Sequence, residues 1–299
     1  MNKVFILRPK EDWIIDRFVN EWYKDNSDIS VIDPINADVI WLLASWCYRH
    51  LPREMLLHKK VITTIHHIVE EKFDQQKLLE FQDRDTITTI YHVPNEHTAT
   101  FIKKLTNKPV FIIPYWANQN IWNLTGNKLD LRKKYNLLES SFLIGSFQRD
   151  TEGSDLISPK LEKGPDLLAD AIEKWWSTNK NIHIVLAGWR RQYIVNRLKT
   201  AKIPYSYFER PKQEDINDLY QTLDLYPITA RYEGGPQSII ECGLLNIPVV
   251  SRNIGLANKL LPQEAISDDV TMARPHVPIV ENLKLPLGYY SFRKLIEEL

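Results

Sequence analysis

Arg231-Tyr232-Glu233-Gly234-Gly235-Pro236-Gln237-Ser238-Ile239-Ile240-Glu241-Cys242-Gly243 follows directly on an apolar run, Leu225 to Ile228, and leads into a segment with helical apolar spacing. A strand is predicted before it, and a helix, Pro236 to Leu245, starts inside it. Gly234 and Gly235 let the backbone come close to a ligand, and Pro236, with its preset φ and missing N–H, suits a first helical position. The unpaired N–H groups and positive dipole end of such a helix suit a phosphate, with Ser238 in the first turn. Glu233 stands in the loop and Glu241 about two turns along the helix, a spacing that sets two carboxylates apart along a diphosphate-sized ligand. One can accept hydrogen bonds from sugar hydroxyls, the other from ribose hydroxyls. Taken singly, an acid near a helix start is equally a partner for the helix dipole.

Outward from this stretch the chain alternates strand and helix. Lys3 to Leu7, Val39 to Leu43, Val61 to Ile65, Ile87 to Tyr91 and Val110 to Ile113 read as strands. Glu11 to Lys24 reads as a helix carrying Ile14, Ile15, Phe18 and Trp22 on one face. After a polar stretch, Trp116 to Asn127, a second series begins, with strands at Phe142 to Gly145, Ile182 to Ala187, Tyr205 to Phe208, Leu225 to Ile228 and Pro248 to Ser251. Helices at Pro165 to Trp176, Gln192 to Lys199 and Gln213 to Leu223 separate them. The continuous apolar strands are of the kind buried in parallel sheets, so two α/β halves are expected, with a cleft at the carboxyl ends of their strands. The expected domains are 1–118, 119–280, and a crossover segment with a closing helix at 281–299.

Composition excludes several classes. Thirty-eight basic and 38 acidic residues cancel, which argues against a chain held to nucleic acid by bulk charge. Nine Trp, 13 Tyr and ten Phe supply a sizeable core and argue against disorder. Two cysteines, Cys47 and Cys242, make neither a disulfide framework nor a Cys-rich zinc site. The longest apolar run, Val39 to Ala44, is far short of a membrane span, and Pro9 with the acids after it interrupts any leader-like stretch. A cytoplasmic protein is the expectation. No trio of the ten glycines spells a dinucleotide fingerprint, and no Walker loop is present.

The E-x7-E pair Glu233 and Glu241 resembles the signature of the retaining glycosyltransferases of family 4 (group 1), which adopt the GT-B fold of two Rossmann-like domains. Asn246-Ile247-Pro248-Val249-Val250-Ser251 is similar to the Gly-x-Pro-Val-Val that follows it there, with Asn in place of Gly. Leu131 to Tyr135 with Phe142 to Phe147, Lys163-Gly164-Pro165-Asp166-Leu167-Leu168, and Ile184 to Gly188 resemble the opening, the Lys-Gly helix start and the next strand of the family's donor domain. Ile112 to Asn118 looks like a variant of the family's Ile-Pro-Asn-Gly. The resemblance covers residues 110–262 well and those before 60 weakly.

That resemblance implies several roles. Arg149 and Lys163 would neutralise the donor diphosphate, although the thirteen residues between them exceed the family's usual spacing. The extra piece, Thr151 to Glu162, is readable as a flap, and Lys160 competes with Lys163. His66, in Thr63-Thr64-Ile65-His66-His67, would lie near the reacting sugar. Gly188 and Arg210 would meet the nucleotide, the latter beside the base. The donor would be a nucleotide diphosphate sugar of UDP or GDP type, with no other cofactor, no metal and no covalent intermediate. The acceptor would be a glycan or lipid-linked glycan, as in surface polysaccharide assembly. Arg8-Pro9-Lys10-Glu11-Asp12 replaces the family's glycine-rich first loop, so acceptor contacts do not carry over.

Two features stand outside the resemblance. Arg49, Arg53, His58, Lys59 and Lys60 accompany Leu51, Met55, Leu56 and Leu57, and a basic amphipathic segment at 49–60 can dock on an anionic membrane; a solvated helix is the plain alternative. Asp83-Arg84-Asp85 spells a metal-binding D-x-D, but its expected place, a polar turn before the strand Ile87 to Tyr91, is the wrong end of a strand for that work. The rival functions are a nucleotide-sugar epimerase of the same fold, which needs no acceptor, and a non-catalytic subunit that binds a nucleotide sugar or glycan and releases no nucleotide.

Overall fold

Strands whose every residue is apolar form where helices cover both faces of a parallel sheet. In the computed structural model, which describes residues 2–11 and 14–299, the chain divides into two units. One comprises Met1–Tyr115 with Pro286–Leu299, the other Trp116–Leu285. The first joins β1 (Val4–Ile6), β2 (Val39–Leu42), β3 (Lys60–Thr64), β4 (Ile90–Val93) and β5 (Val110–Ile112) in the order β1-β2-β3-β4-β5, every pairing parallel. Its crossovers carry α1 (Ile14–Asp25), α2 (Arg53–His58), α3 (Gln75–Asp85) and α4 (Glu96–Ile102).

The second unit opens with α5 (Lys128–Lys134). It continues with β6 (Phe142–Ser146), α6 (Pro165–Thr178), β7 (Ile182–Ala187), α7 (Gln192–Thr200), β8 (Tyr205–Phe208), α8 (Gln213–Gln221), β9 (Tyr226–Ile228), α9 (Gln237–Leu244), β10 (Val249–Ser251) and α10 (Ala257–Leu260). β6, β7 and β8 pair in parallel, as do β9 and β10. A bridge from Ile144 to Leu225 joins the two groups, so β9 lies beside β6. The order is thus 8-7-6-9-10, and the direction of winding reverses between β6 and β9. Alternate strand residues feed opposite faces: Leu143 and Val185 enter one core with Tyr220 and Ile239, while Ile144 and Ile184 enter the other with Ile172 and Leu198.

The structure adjusts three expectations in the first unit. The strand expected at 87–91 runs over Ile90–Val93, because Thr88 Oγ1 donates to the Arg84 carbonyl and Ile87 is still in the exit from α3. Asp83 and Asp85 lie in the last turn of α3, not in a turn. The segment 49–60 is no single helix: a 3-10 stretch, Ser45–His50, stops before Pro52, and α2 has only six residues.

The closing helix, expected over Lys284 to Leu299, is α11 (Tyr290–Glu297), and it packs on the first sheet. Phe292 is 1% exposed, stacks on Trp41 at 5.1 Å and meets Trp22 and His92 edge-on. Arg293 grips Asp28 with both terminal nitrogens, at 3.0 and 2.7 Å. Removing a ring packed among three other rings leaves a void that rigid neighbours cannot fill. Phe292→Ala should therefore destabilise the first unit by roughly 3–5 kcal/mol, measurable by urea unfolding. A loss below about 1 kcal/mol would mean that α11 is not part of that core.

Candidate functional site

In open parallel sheets ligands bind at the carboxyl ends of the strands where the winding reverses, here beyond Ser146 of β6 and Ile228 of β9. Two helices begin there. Gly164 precedes α6 with φ of 61°, and a Cβ on it would lie 2.0 Å from the Thr229 carbonyl oxygen. Thr229 Oγ1 also donates to the Gly164 carbonyl at 2.9 Å. Only glycine permits so close an approach in this conformation. The result docks the start of α6 on the end of β9.

That contact sets Lys163 beside the loop preceding α9. Lys163 Nζ donates to Glu233 Oε1, both side chains being half-buried. The same loop is laced to the approach to α6 elsewhere. Arg231 and Tyr232 donate their N–H groups to the Glu162 carbonyl, and Arg231 pairs with Asp166 at 2.6 Å. That pairing draws the Asp166 carboxyl below its usual range. Beneath the loop, Gly255 has φ of 55°, and a Cβ there would reach Pro236 Cδ at 2.7 Å. Pro236 lies one residue before α9 rather than at its first position.

The carboxyl ends of β6 and β7 are clamped by Arg191, which is fully buried. Its guanidinium donates to the carbonyls of Ser146 and Ala187, to Ser146 Oγ at 2.9 Å and to Asp150 Oδ2 at 2.9 Å. Burial pushes the Asp150 carboxyl up, against the pull of Arg191.

Of the residues singled out from sequence, Lys163 and Glu233 come together. Gln148 links them to Arg149's strand end by donating to the Lys163 carbonyl at 2.8 Å. Arg149 itself turns aside: its Nε donates to the Thr151 carbonyl and its guanidinium lies 5.8 Å from the centre of the Trp189 ring. Lys160 pairs with Glu162 at 3.3 Å, which leaves the site to Lys163. Glu241 is buried on α9 and accepts a 2.8 Å hydrogen bond from Tyr220. Gly188 and Arg210 follow β7 and β8, and the Arg210 guanidinium lies 4.7 Å from the Trp189 ring. Gly234 and Gly235 precede α9, and Ser238 lies in its first turn.

Sequence reading passed over Trp189, Arg190, Arg191 and Gly255. A Trp and two Arg directly after a strand-ending glycine were the available signal; Gly255 gave none, because its role exists only once the loop packs on it.

In the first unit His66 follows β3. Its Nε2 lies 2.9 Å from the Leu43 carbonyl and its Nδ1 2.7 Å from the Tyr115 hydroxyl. A carbonyl only accepts, so Nε2 carries the hydrogen and Nδ1 accepts from Tyr115. Both nitrogens are thereby engaged within this unit. Burial lowers the His66 pKa to about 4.

The D-x-D acids are engaged too. Asp83 receives Tyr48 and Arg53 at 2.5 and 2.9 Å, and Asp85 receives Tyr91 and Thr106, each at 2.8 Å. Arg49 also pairs with Asp83, and Lys59 donates to the carbonyls of Ile35 and Ala37, so these basic side chains of 49–60 are tied to their own unit. No cluster among the described residues suits a metal ion, and no helix there is long and apolar enough to cross a membrane.

Residues 159–265 match the family model described as glycosyl transferases group 1, a span that includes Lys163, Glu233 and Glu241. The chain is similar to the O-antigen biosynthesis glycosyltransferase WclY of Escherichia coli, 24% identical over 149 residues. That match covers 49% of this chain and only 38% of the relative. Among solved structures, Alr3699/HepE of Anabaena, crystallised with UDP and glucose, superposes with a TM-score of 0.67 at 14% identity, over 91% of this chain and 88% of that one. Sucrose-phosphate synthase of Thermosynechococcus elongatus gives 0.61 at 14% identity, over 89% and 70%. The fold is therefore GT-B in class, and residues 159–265 of the second unit are similar to the group 1 glycosyltransferases.

The His66 geometry makes a pH prediction. The unfolded ring takes its proton near pH 6.5, the folded ring only near pH 4, so this contribution to stability is full above 6.5 and is lost as pH falls toward 4. An NMR titration should show the folded His66 ring neutral down to about pH 5. A midpoint near 6.5 would contradict the two hydrogen bonds.

Proposed function

We propose that the chain is a retaining glycosyltransferase that moves a sugar from a nucleotide diphosphate sugar, of UDP or GDP type, to a glycan or lipid-linked glycan acceptor in surface polysaccharide assembly on the cytoplasmic side. The observation that carries this reading is the Lys163–Glu233 pair at the β6/β9 reversal, at the entrance to α9. The group 1 match over the same residues and the O-antigen relative support it.

Each partner of the pair neutralises the other until a donor arrives. The diphosphate is the stronger anion and takes the Lys163 ammonium, which releases the Glu233 carboxylate to accept hydrogen bonds from the sugar. The amides at the start of α9 meet the phosphates. As the bond to the anomeric carbon breaks, negative charge grows on the leaving phosphate, and Lys163 is already in place to hold it. The leaving phosphate oxygen helps to take the acceptor's proton, so the protein's contribution is positioning and charge stabilisation without a covalent intermediate.

Lys163→Ala should lower turnover by roughly 100- to 1000-fold with a smaller loss of nucleotide affinity, because the helix amides remain. The check is release of nucleoside diphosphate from a panel of UDP- and GDP-sugars, with and without glycan acceptors. Near-normal release by Lys163→Ala would remove the lysine from the mechanism.

With Lys163 and a helix start facing the phosphates, a divalent ion has no task here. Turnover should persist in excess EDTA. Loss on chelation, restored by magnesium or manganese, would contradict the proposal.

A further inference from the structure

Trp189 stands at the carboxyl end of β7 and is 45% exposed, an unusual position for the largest apolar side chain. Three guanidiniums surround its ring: Arg210 at 4.7 Å, Arg190 at 5.4 Å and Arg149 at 5.8 Å from the centroid. Among the described residues none of the three forms an ion pair: the nearby Asp150 is committed to Arg191, and Asp155, which feels the charge of Arg190, is engaged by Ile157 and Ser158. Cation–π attraction contributes only about 0.5–1 kcal/mol per exposed contact, and like charges gathered on one ring repel. An anion among them removes that repulsion.

Arg190 carries the second observation. It is 9% exposed, its backbone is held at φ of 61°, and its Nε has no hydrogen-bond partner although the atom is buried. A buried guanidinium nitrogen without an acceptor needs an explanation, and a bound anion that draws the guanidinium toward itself supplies one. The residue does not adopt this pose by accident of a loose loop. Arg191 beside it clamps both strand ends, and Asp150 N–H donates to the Arg190 carbonyl at 3.1 Å.

The insert 151–162 explains the rest of the arrangement. Thr151 bridges to Pro159, Glu152 N–H donates to the Ser158 carbonyl, and Asp155 accepts from Ile157 N–H and from Ser158. The loop is thus closed on itself, and its carbonyls face the arginines: Thr151 accepts from Arg149 Nε and Gly153 from Arg190 Nη2. The insert orients two of the three guanidiniums.

We propose that Arg190, with Arg149 and Arg210 on Trp189, forms an anion site for a phosphoryl group of the nucleotide donor, and that the insert positions it. This rests on the donor reading above and adds Arg190 as a ligand-touching residue. Gln148 and Arg149 are consecutive, with Gln148 on the Lys163 carbonyl and Arg149 on Trp189, so the anion site adjoins the Lys163–Glu233 pair along the same strand end.

The test is calorimetric titration of the full chain with UDP, GDP, uridine, guanosine and inorganic pyrophosphate. Arg190→Met keeps the stem on Trp189 and removes the charge. It should weaken the bound nucleoside diphosphate by roughly 10- to 100-fold, as expected for a hydrogen bond to a charged group, and leave the parent nucleoside unchanged. Arg190→Lys should restore part of the loss. Should Arg190→Met fail to fold, Arg210→Ala, an exposed side chain, carries the same comparison. Equal weakening of nucleotide and nucleoside, or no weakening of either, overturns the proposal. Pyrophosphate binding that is lost in Arg190→Met while the nucleotides bind normally overturns it as well, because the site then takes a free anion and not the donor. If the wild-type chain binds none of the five, the donor reading itself falls.

Discussion

The second unit is organised around one ion pair, Lys163 with Glu233, and around the backbone contact that makes it possible. A lysine ammonium and a carboxylate, each half-buried, would be poor neighbours for anything but each other or a ligand. They meet because Gly164 lies against Thr229 at a distance no side chain allows, which draws the start of α6 onto the end of β9. The Arg231–Asp166 pair and the Glu162 carbonyl repeat the connection on either side. The site is therefore built by two strand–loop–helix passages, β6 to α6 and β9 to α9, folded onto one another, and the reversal of strand order places them side by side.

A second constraint works along the neighbouring strands. Arg191 satisfies carbonyls at the ends of β6 and β7 and pairs with Asp150, burying a charge completely. Removing either partner would strand the other, so both loops are fixed together. This explains how a thirteen-residue spacing between Arg149 and Lys163 coexists with an ordered site: the additional residues close a loop of their own and return the chain to Lys160, whose N–H donates to the Asp150 carbonyl.

The strands of the second unit were legible almost residue by residue, since continuous apolar runs bounded by Pro, Gly and polar residues have few alternative readings. Lys163 stood out from Lys160 because Gly164 and a helix start follow it, and Glu233 stood out through its E-x7-E spacing to Glu241. What escaped was context that only tertiary packing supplies. Asp83 and Asp85 read as a turn because nothing local shows that Tyr48, Arg53, Tyr91 and Thr106 converge on them at the end of a helix. The segment 49–60 read as one amphipathic helix, yet Pro52 divides it. The resemblance set Arg149 on the donor diphosphate with Lys163, and nothing local showed that its guanidinium would lie against Trp189, a residue that composition alone assigns to the core.

The proposed function requires that a nucleotide diphosphate sugar bind where α6 and α9 begin. Amide hydrogen exchange across the whole chain, with and without saturating UDP- and GDP-sugars, tests it most directly. One of these donors is expected to slow exchange at the amides of Gly234, Gly235, Gln237 and Ser238 and at those of Lys163 and Gly164. Protection absent from both stretches, with a donor demonstrably bound, would contradict it.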